Sequence, residues 1–211
     1  MSVLRANRLF YRYPDGTDVL RGVEFSVGSG EMVSILGENA SGKTTLLKIL
    51  AGLLMPGEGS VTVDGVPILQ ARDRVGIVFQ NPDHQLIAAT VAEELALGME
   101  FRGVPQAAMI PRVEELLQRF DLLTLRNTAP EHLSGGQKQR VALAAVMASG
   151  ADFLLFDEPD SMLDAPSRAD FMQSVEVVRK TCGIVWTSPH PNRRPFADQH
   201  YELREGLLVA L

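Results

Sequence analysis

The stretch Gly37-Glu38-Asn39-Ala40-Ser41-Gly42-Lys43-Thr44-Thr45 constrains this chain more than any other. It fits the pattern G-x-x-x-x-G-K-[ST], and its flanks supply the context that the pattern requires. Met32 to Leu36 is a mostly apolar run that leads in as a strand. Leu46, Leu47, Ile49, Leu50 and Ala51 follow with an apolar helical pattern. The order strand, glycine loop, helix makes an anion site. Gly37 and Gly42 let the backbone wrap a phosphate with no Cβ in the way. The first N–H groups of the helix lack intrahelical partners, and the helix dipole favours an anion there. Lys43 brings a positive charge to terminal phosphates, and Thr44 places a hydroxyl where Mg²⁺ would sit. The competing reading is a chance glycine turn before a helix, and the flanks argue against it.

Length allows one large α/β domain, or a core with a small insertion, in 211 residues. The net charge of −6 argues against a nucleic-acid binder whose affinity comes from a broad basic face. Arg193-Arg194 is too short for a nucleic-acid patch. Cys182 is the only cysteine, so no intrachain disulfide can form, which suits a reducing compartment. The N-terminus has no apolar signal core. The longest nearly apolar span, Val141 to Phe156, is broken by Gly150 and Asp152 and is too short to cross a membrane. The chain is expected to be soluble and cytoplasmic.

Along the chain, Val3 to Tyr13 and Val19 to Val27 read as strands joined by a Pro14-Asp15-Gly16 turn. Tyr13 sits just before that turn, where an aromatic can stack on a base or simply pack in the strand. Val75 to Phe79 reads as a buried strand ending in Gln80, whose amide oxygen can reach a Mg²⁺ or a water. From about Thr90 to Glu131 no strand pattern occurs. Val91, Leu95, Leu97 and Met99 suggest one helix. Val113, Leu116, Leu117 and Phe120 suggest another, with Pro111 expected in its first turn. Leu133-Ser134-Gly135-Gly136-Gln137 opens the next helix, with Ser134 and Gln137 as a capping box. Its two glycines leave a second helix start open to an anion, although a simple N-cap also explains them. Phe153 to Phe156 is an apolar strand that delivers Asp157 and Glu158 at its exit. Adjacent carboxylates there are costly unless a cation or water uses them. Asp157 would hold Mg²⁺, directly or through water, and Glu158 would act as general base on an attacking water. Asp164 precedes a further helix. Ile184 to Trp186 is the last core strand, and His200 to Leu203 and Leu207 to Val209 form a hairpin.

With these motifs in order, the chain resembles an ATP-binding cassette ATPase over nearly its whole length. Leu133 to Gln137 matches the family's LSGGQ signature in full, which is far more specific than the glycine loop alone. The resemblance implies an α/β fold: a P-loop NTPase (RecA-like) core with an N-terminal antiparallel β subdomain and an inserted α-helical subdomain. The core would be residues 1–89 and 132–211, and the helical part 90–131, in one nucleotide-binding domain. It implies ATP and Mg²⁺ as ligands, with Tyr13 on the base and Asn39, Ala40, Ser41, Thr45 and Asp164 among the contacts. It also implies a head-to-tail dimer, homomeric or heteromeric, in which each ATP lies between one chain's Gly37 to Thr45 loop and the other's Ser134 to Gln137. Val78-Phe79-Gln80-Asn81-Pro82-Asp83-His84-Gln85-Leu86 is similar to the ATPases of energy-coupling factor transporters, cobalt and nickel types included. Those import metal ions and vitamins with an integral membrane coupling protein and a substrate-capture protein, which would place this chain peripherally at the cytoplasmic face of the cell membrane. No added domain is expected after the core in these 211 residues, and nothing in them names a cargo.

One position departs from the pattern. The family carries a His directly after the last core strand, and here Thr187 is followed by Ser188, with a His only at His190. Either His190 takes the role or the γ-phosphate sensor is missing; counting back from Ala197-Asp198 favours Ser188 and a weakened site. Three other readings stand beside an importer ATPase. One is a non-transport ABC ATPase, which usually carries tandem cassettes or coiled-coil insertions. Another is a P-loop kinase, against which the LSGGQ segment argues. The last is an ATP-binding subunit with weakened hydrolysis that pairs with an active sister chain, which Ser188 supports.

Overall fold

The computed structural model describes residues 1–190 and 196–211. Arg193 and Arg194 lie outside the described residues. By contacts the chain divides into two compact units, Met1–Ile77 with Asp152–Glu158 and Arg179–Leu211, and Val78–Ala151 with Pro159–Val178.

The first unit is built on two sheets. One has four strands in the order β2-β1-β4-β5: β1 (Val3–Arg12), β2 (Asp18–Gly28), β4 (Glu58–Val63) and β5 (Val66–Pro67). All its pairings are antiparallel. The chain reverses between β1 and β2 where the sequence predicts a turn, with the Gly16 N–H donating to the Tyr13 carbonyl at 2.9 Å. The other sheet has the order β10-β9-β3-β8-β7-β6: β3 (Met32–Leu36), β6 (Val75–Val78), β7 (Phe153–Asp157), β8 (Gly183–Ser188), β9 (Gln199–Arg204) and β10 (Leu207–Ala210). β3 runs parallel to β8 and β9, and β7 parallel to β8, while β9 and β10 form an antiparallel hairpin at the edge. Every residue of β3, β7 and β8 is buried, which explains their unbroken apolar runs: a parallel strand covered on both faces has no polar side to alternate with. Helix α1 (Lys43–Leu50) follows β3 and buries Leu46, Leu47, Ile49 and Leu50 in a core shared with Leu4, Leu9, Val33, Phe153 and Val185.

In the second unit, α2 (Val91–Glu100), α3 (Gln106–Arg119) and α4 (Gly135–Ala148) pack on one another, and α5 (Ala165–Arg179) begins there. Val91, Leu95, Val113, Leu116, Leu117, Val141 and Leu143 are their buried faces. Between Thr90 and Glu131 the chain forms only helices and turns. The expected start of α3 needs correction. Pro111 lies inside the helix, not in its first turn, and Pro105 caps the start instead. Gln106 to Met109 are good helix formers and extend the helix backwards, leaving Pro111 to remove one i→i−4 hydrogen bond. Among the described residues no helix is long and apolar enough to cross a membrane.

Candidate functional site

Three strand ends come together in the first unit. Leu36 at the end of β3 is in register with Ser188 at the end of β8, and Thr187 beside it is in register with Asp157 at the end of β7. Their loops therefore leave the sheet side by side at its carboxyl edge, where open α/β sheets bind ligands. The Gly37 N–H donates to the Ser188 carbonyl at 3.2 Å and ties the glycine loop to β8.

The loop itself is tightly wound. Gly42 has φ 103°, a conformation that suits glycine, and a Cβ there would sit 2.5 Å from a Val19 methyl. A Cβ on Gly37 would sit 2.5 Å from Ser41 Oγ and 2.8 Å from the Leu203 carbonyl. Asn39 and Ala40 are exposed on the crest, and Ala40 takes φ 64°. No side chain caps α1, and its first intrahelical donor is the Leu46 N–H, which bonds to the Gly42 carbonyl at 2.9 Å. The amides of Lys43, Thr44 and Thr45 thus remain available to an anion. Tyr13 stands next to this helix start: its hydroxyl shares a hydrogen bond of 2.9 Å with Thr45 Oγ1, and Tyr11 meets its ring edge-on at 5.0 Å.

One ion pair and one hydrogen-bonded pair lie at these strand ends. Lys43 is 4% exposed. Its ammonium donates to the carbonyls of Gly37 (2.7 Å) and Glu38 (2.9 Å) and pairs with Glu158 Oε1 at 3.1 Å. The Thr44 hydroxyl lies 3.0 and 2.8 Å from the two oxygens of Asp157. Burial pushes the Asp157 carboxyl above the usual carboxylate range. Hydrogen bonds from Thr44 and Thr187 and the charge of Lys43 oppose the shift, while the Glu158 charge adds to it. Glu158 is held at φ 49°, a strained conformation for a residue other than glycine. Its N–H donates to Thr187 Oγ1 at 3.2 Å, and that hydroxyl can give its proton to the Phe156 carbonyl (3.1 Å) or to Asp157 Oδ1 (3.3 Å). Ser188 is 1% exposed, and its hydroxyl donates to the His190 carbonyl and accepts from the His190 N–H, both at 3.2 Å. His190 is exposed.

The remaining sequence candidates belong to the second unit. Gln80 is exposed and its amide donates to Ser161 Oγ at 3.1 Å. Ser134 and Gln137 form the expected capping box, with the Ser134 N–H donating to Gln137 Oε1 at 2.8 Å and the Gln137 N–H donating to Ser134 Oγ at 3.3 Å. The two signature glycines differ. A Cβ on Gly136 would lie 2.8 Å from that of Ser167, so helix packing alone requires this glycine. Among the described residues a Cβ on Gly135 would meet only Leu163, at an ordinary 3.7 Å, and none of them forbids a side chain there. Asp164 precedes α5 and accepts from the Ser167 N–H at 2.8 Å; a hydrogen bond from the Ser167 side chain, and after it this one from the backbone, hold its carboxyl below its ordinary range.

The sequence does not single out Thr187, which holds the Asp157 carboxylate and the Glu158 N–H, or Asp160, which is 2% exposed and paired with Arg168 at 2.7 Å. A threonine at the mouth of an apolar strand was the only signal for the first. Asp160, three residues past Asp157, gave none.

The family profile described as ABC transporter matches residues 20–161. The energy-coupling factor transporter ATP-binding protein EcfA1 of Lacticaseibacillus paracasei is 42% identical, over 87% of this chain and 68% of that protein. EcfA of Methanocaldococcus jannaschii is 38% identical, over 99% of this chain and 78% of its own. The solved structure of cbiO1 from Clostridium perfringens, described as part of the ABC transporter complex cbiONQ, superposes with a TM-score of 0.87. It is 31% identical and is matched over 98% of this chain and 86% of its own. The chain belongs to the ABC transporter family: it is an ATP-binding cassette ATPase with the P-loop NTPase fold, and energy-coupling factor transporter ATP-binding proteins are among its relatives.

Proposed function

We propose that this chain is the ATPase subunit of an importer of the energy-coupling factor kind, working peripherally at the cytoplasmic face of the cell membrane. Hydrolysis of ATP there powers uptake of a metal ion or vitamin through an integral membrane coupling protein, served by a substrate-capture protein. The observation that carries this reading is the convergence of Lys43, Thr44, Asp157 and Glu158 at the ends of β3 and β7. The free amides of α1 and the loop from Gly37 to Thr45 cradle the phosphates, and Tyr13 meets the base. Thr44 and Asp157 face each other as a hydroxyl and a carboxylate, an all-oxygen donor pair that fits a hard cation. They would hold Mg²⁺, with Gln80 on the cation or on the attacking water. When bound, Mg²⁺ neutralises charge on the β- and γ-phosphate oxygens. Glu158 takes a proton from water as the water oxygen bonds to the γ-phosphorus and the bond to the β–γ bridging oxygen breaks, giving ADP and phosphate. In the head-to-tail dimer, homomeric or heteromeric, Ser134 to Gln137 and Asp164 of one chain meet the ATP held by the other. Residues 1–89 and 132–211 form the core of this domain and 90–131 its helical part.

Two measurements test the reading. Lys43→Ala is expected to lose nucleotide binding by at least about tenfold, because the single cation at the terminal phosphates is gone. Affinity equal to the wild type would sink the assignment. Affinity purification of the chain from native membranes is expected to bring an integral membrane protein with it.

A second reading has its own support. The Ser188 hydroxyl is occupied by the backbone of its own loop, and His190 is exposed. This favours a weakened phosphate sensor in a subunit that binds ATP beside a more active sister chain. A serine hydroxyl also ends several atoms short of an imidazole. Ser188→His is then expected to raise the ATPase rate of the assembled complex, with His190→Ala close to silent. A strong loss in His190→Ala would assign the sensor to His190 instead.

A further inference from the structure

Gln139 lies in α4, two residues past the LSGGQ segment, and is 1% exposed. Its amide nitrogen donates to two main-chain carbonyls, those of Phe79 and Gln80, each at 3.1 Å. Both neighbours are acceptors only, so the amide must present its NH₂ to them and turn its oxygen away. That oxygen has no partner among the described residues. Gln139 is one of the residues lining a small cavity of about 140 Å³, together with Asn81, Asp83, Gly135 and Lys138. A buried amide with one unsatisfied end is costly, and both of its donor protons go to a single peptide segment. The neighbouring residue grips the same loop. Lys138 Nζ pairs with Asp83 Oδ1 at 2.6 Å. Within the loop, Gln85 Oε1 accepts from the Phe79 N–H at 3.3 Å, and Asn81 Oδ1 accepts from the Asp83 N–H at 3.0 Å. The first turns of α4 therefore fix the backbone at Gln80 from one side, while the Gln80 side chain stays exposed.

We propose that Gln139 is a positioning residue for Gln80: it fixes the peptide that carries the Gln80 side chain and makes that placement depend on the start of α4. The signature helix and the Gln80 loop then move as one piece, so a ligand that shifts the Ser134 to Gln137 turn also shifts Gln80. This inference rests on the reading that Gln80 serves hydrolysis.

The sharpest substitution is Gln139→Glu. It keeps length and shape but sets carboxylate oxygens against two carbonyl oxygens. Gln139→Met keeps the length with no donor at all, and it serves if the charged variant does not fold. Steady-state ATPase activity of the assembled complex is measured for each variant, for Gln80→Ala, and for the doubles, across ATP and Mg²⁺ concentrations. Gln139→Glu is expected to lower kcat by about tenfold with KM for ATP within about twofold, and to raise the Mg²⁺ requirement as Gln80→Ala does. In the Gln80→Ala background either Gln139 substitution is expected to cost less than about twofold more. A purely structural loss would multiply with that of Gln80→Ala. Full multiplication, or a wild-type kcat in both Gln139 variants, would overturn the inference while leaving the Gln80 reading intact. Wild-type kcat and Mg²⁺ dependence in Gln80→Ala would instead remove the Gln80 reading, and the inference with it.

Discussion

At the scale of single residues, the site holds two charges that are comfortable only in part. Lys43 and Glu158 are both largely buried and neutralise each other. A terminal phosphate must draw Lys43 from that pair, and it also meets the Glu158 charge. Glu158→Gln is expected to abolish turnover and to tighten ATP binding by roughly three- to tenfold, about 1 kcal/mol, since the pair no longer competes. Equilibrium titration checks this; weaker binding in the variant would mean that the pair organises the loop and does not compete with ligand. Asp157 is the other uneasy charge. Its carboxyl is raised, chiefly by burial. The native state thus holds that proton more tightly than the unfolded chain does. The stability linked to protonated Asp157 is present at low pH and is lost as pH rises through the raised value, so at neutral pH the ionised group costs stability. Asp157→Asn is expected to raise the melting temperature of the nucleotide-free chain at pH 7, with the gain fading below the carboxylate range, while ATPase activity disappears. Thermal unfolding as a function of pH checks both the sign and the window. A site that destabilises its own fold in this way trades stability for function.

At the scale of elements, β3, β7 and β8 were legible because a strand buried on both faces writes itself as an apolar run. Their neighbour relations were not legible, yet these build the site. The Glu158 amide and Thr187 hydroxyl that meet at the strand ends lie 29 residues apart in sequence, and Gln139 and Phe79 lie 60 apart. No local pattern marks a side chain whose partner is a distant main-chain carbonyl. The start of α3 is hidden for a different reason. Proline suits a first helical turn, but the formers ahead of Pro111 carry the helix back to Gln106. The strand-loop-helix order around Gly37 to Thr45 and the capping box at Ser134 are legible because they are local, set by residues a few positions apart. Gly183 shows how close the elements are set. A Cβ there would lie 2.6 Å from the Phe153 ring and 2.8 Å from the Gly28 carbonyl, pushing β8 away from β7 and β2. Gly183→Ala is expected to cost about 1–3 kcal/mol. For a chain of this size that is a drop in melting temperature of roughly 3 to 10 °C. An unchanged melting curve would mean that these strands shift apart more easily than their burial suggests.

At the scale of the whole molecule, the two signature glycines are held to glycine for different reasons. Gly136 is explained by Ser167, but none of the described residues forbids a side chain at Gly135. In the dimer we propose, that space belongs to the partner's γ-phosphate, so Gly135→Asp would bring a carboxylate against it and add bulk at a close approach. Pairing two differently tagged copies separates the possible arrangements. Suppose one copy carries both Lys43→Ala and Gly135→Asp and the other is wild type. In a head-to-tail dimer each ATP uses one chain's Lys43 and the other's Gly135, so both sites are damaged. Suppose instead that each copy carries one substitution. Then one site has both defects and the other has neither. The expected outcome is an intact site when the substitutions are on different chains and none when they share a chain. ATP retained per dimer after gel filtration reads this directly. The rate of the separated pair should be about half that of wild type if the sites act independently. Sites contained within single chains predict the reverse, with an intact site only when both substitutions share a chain, and that result would rule out the shared arrangement.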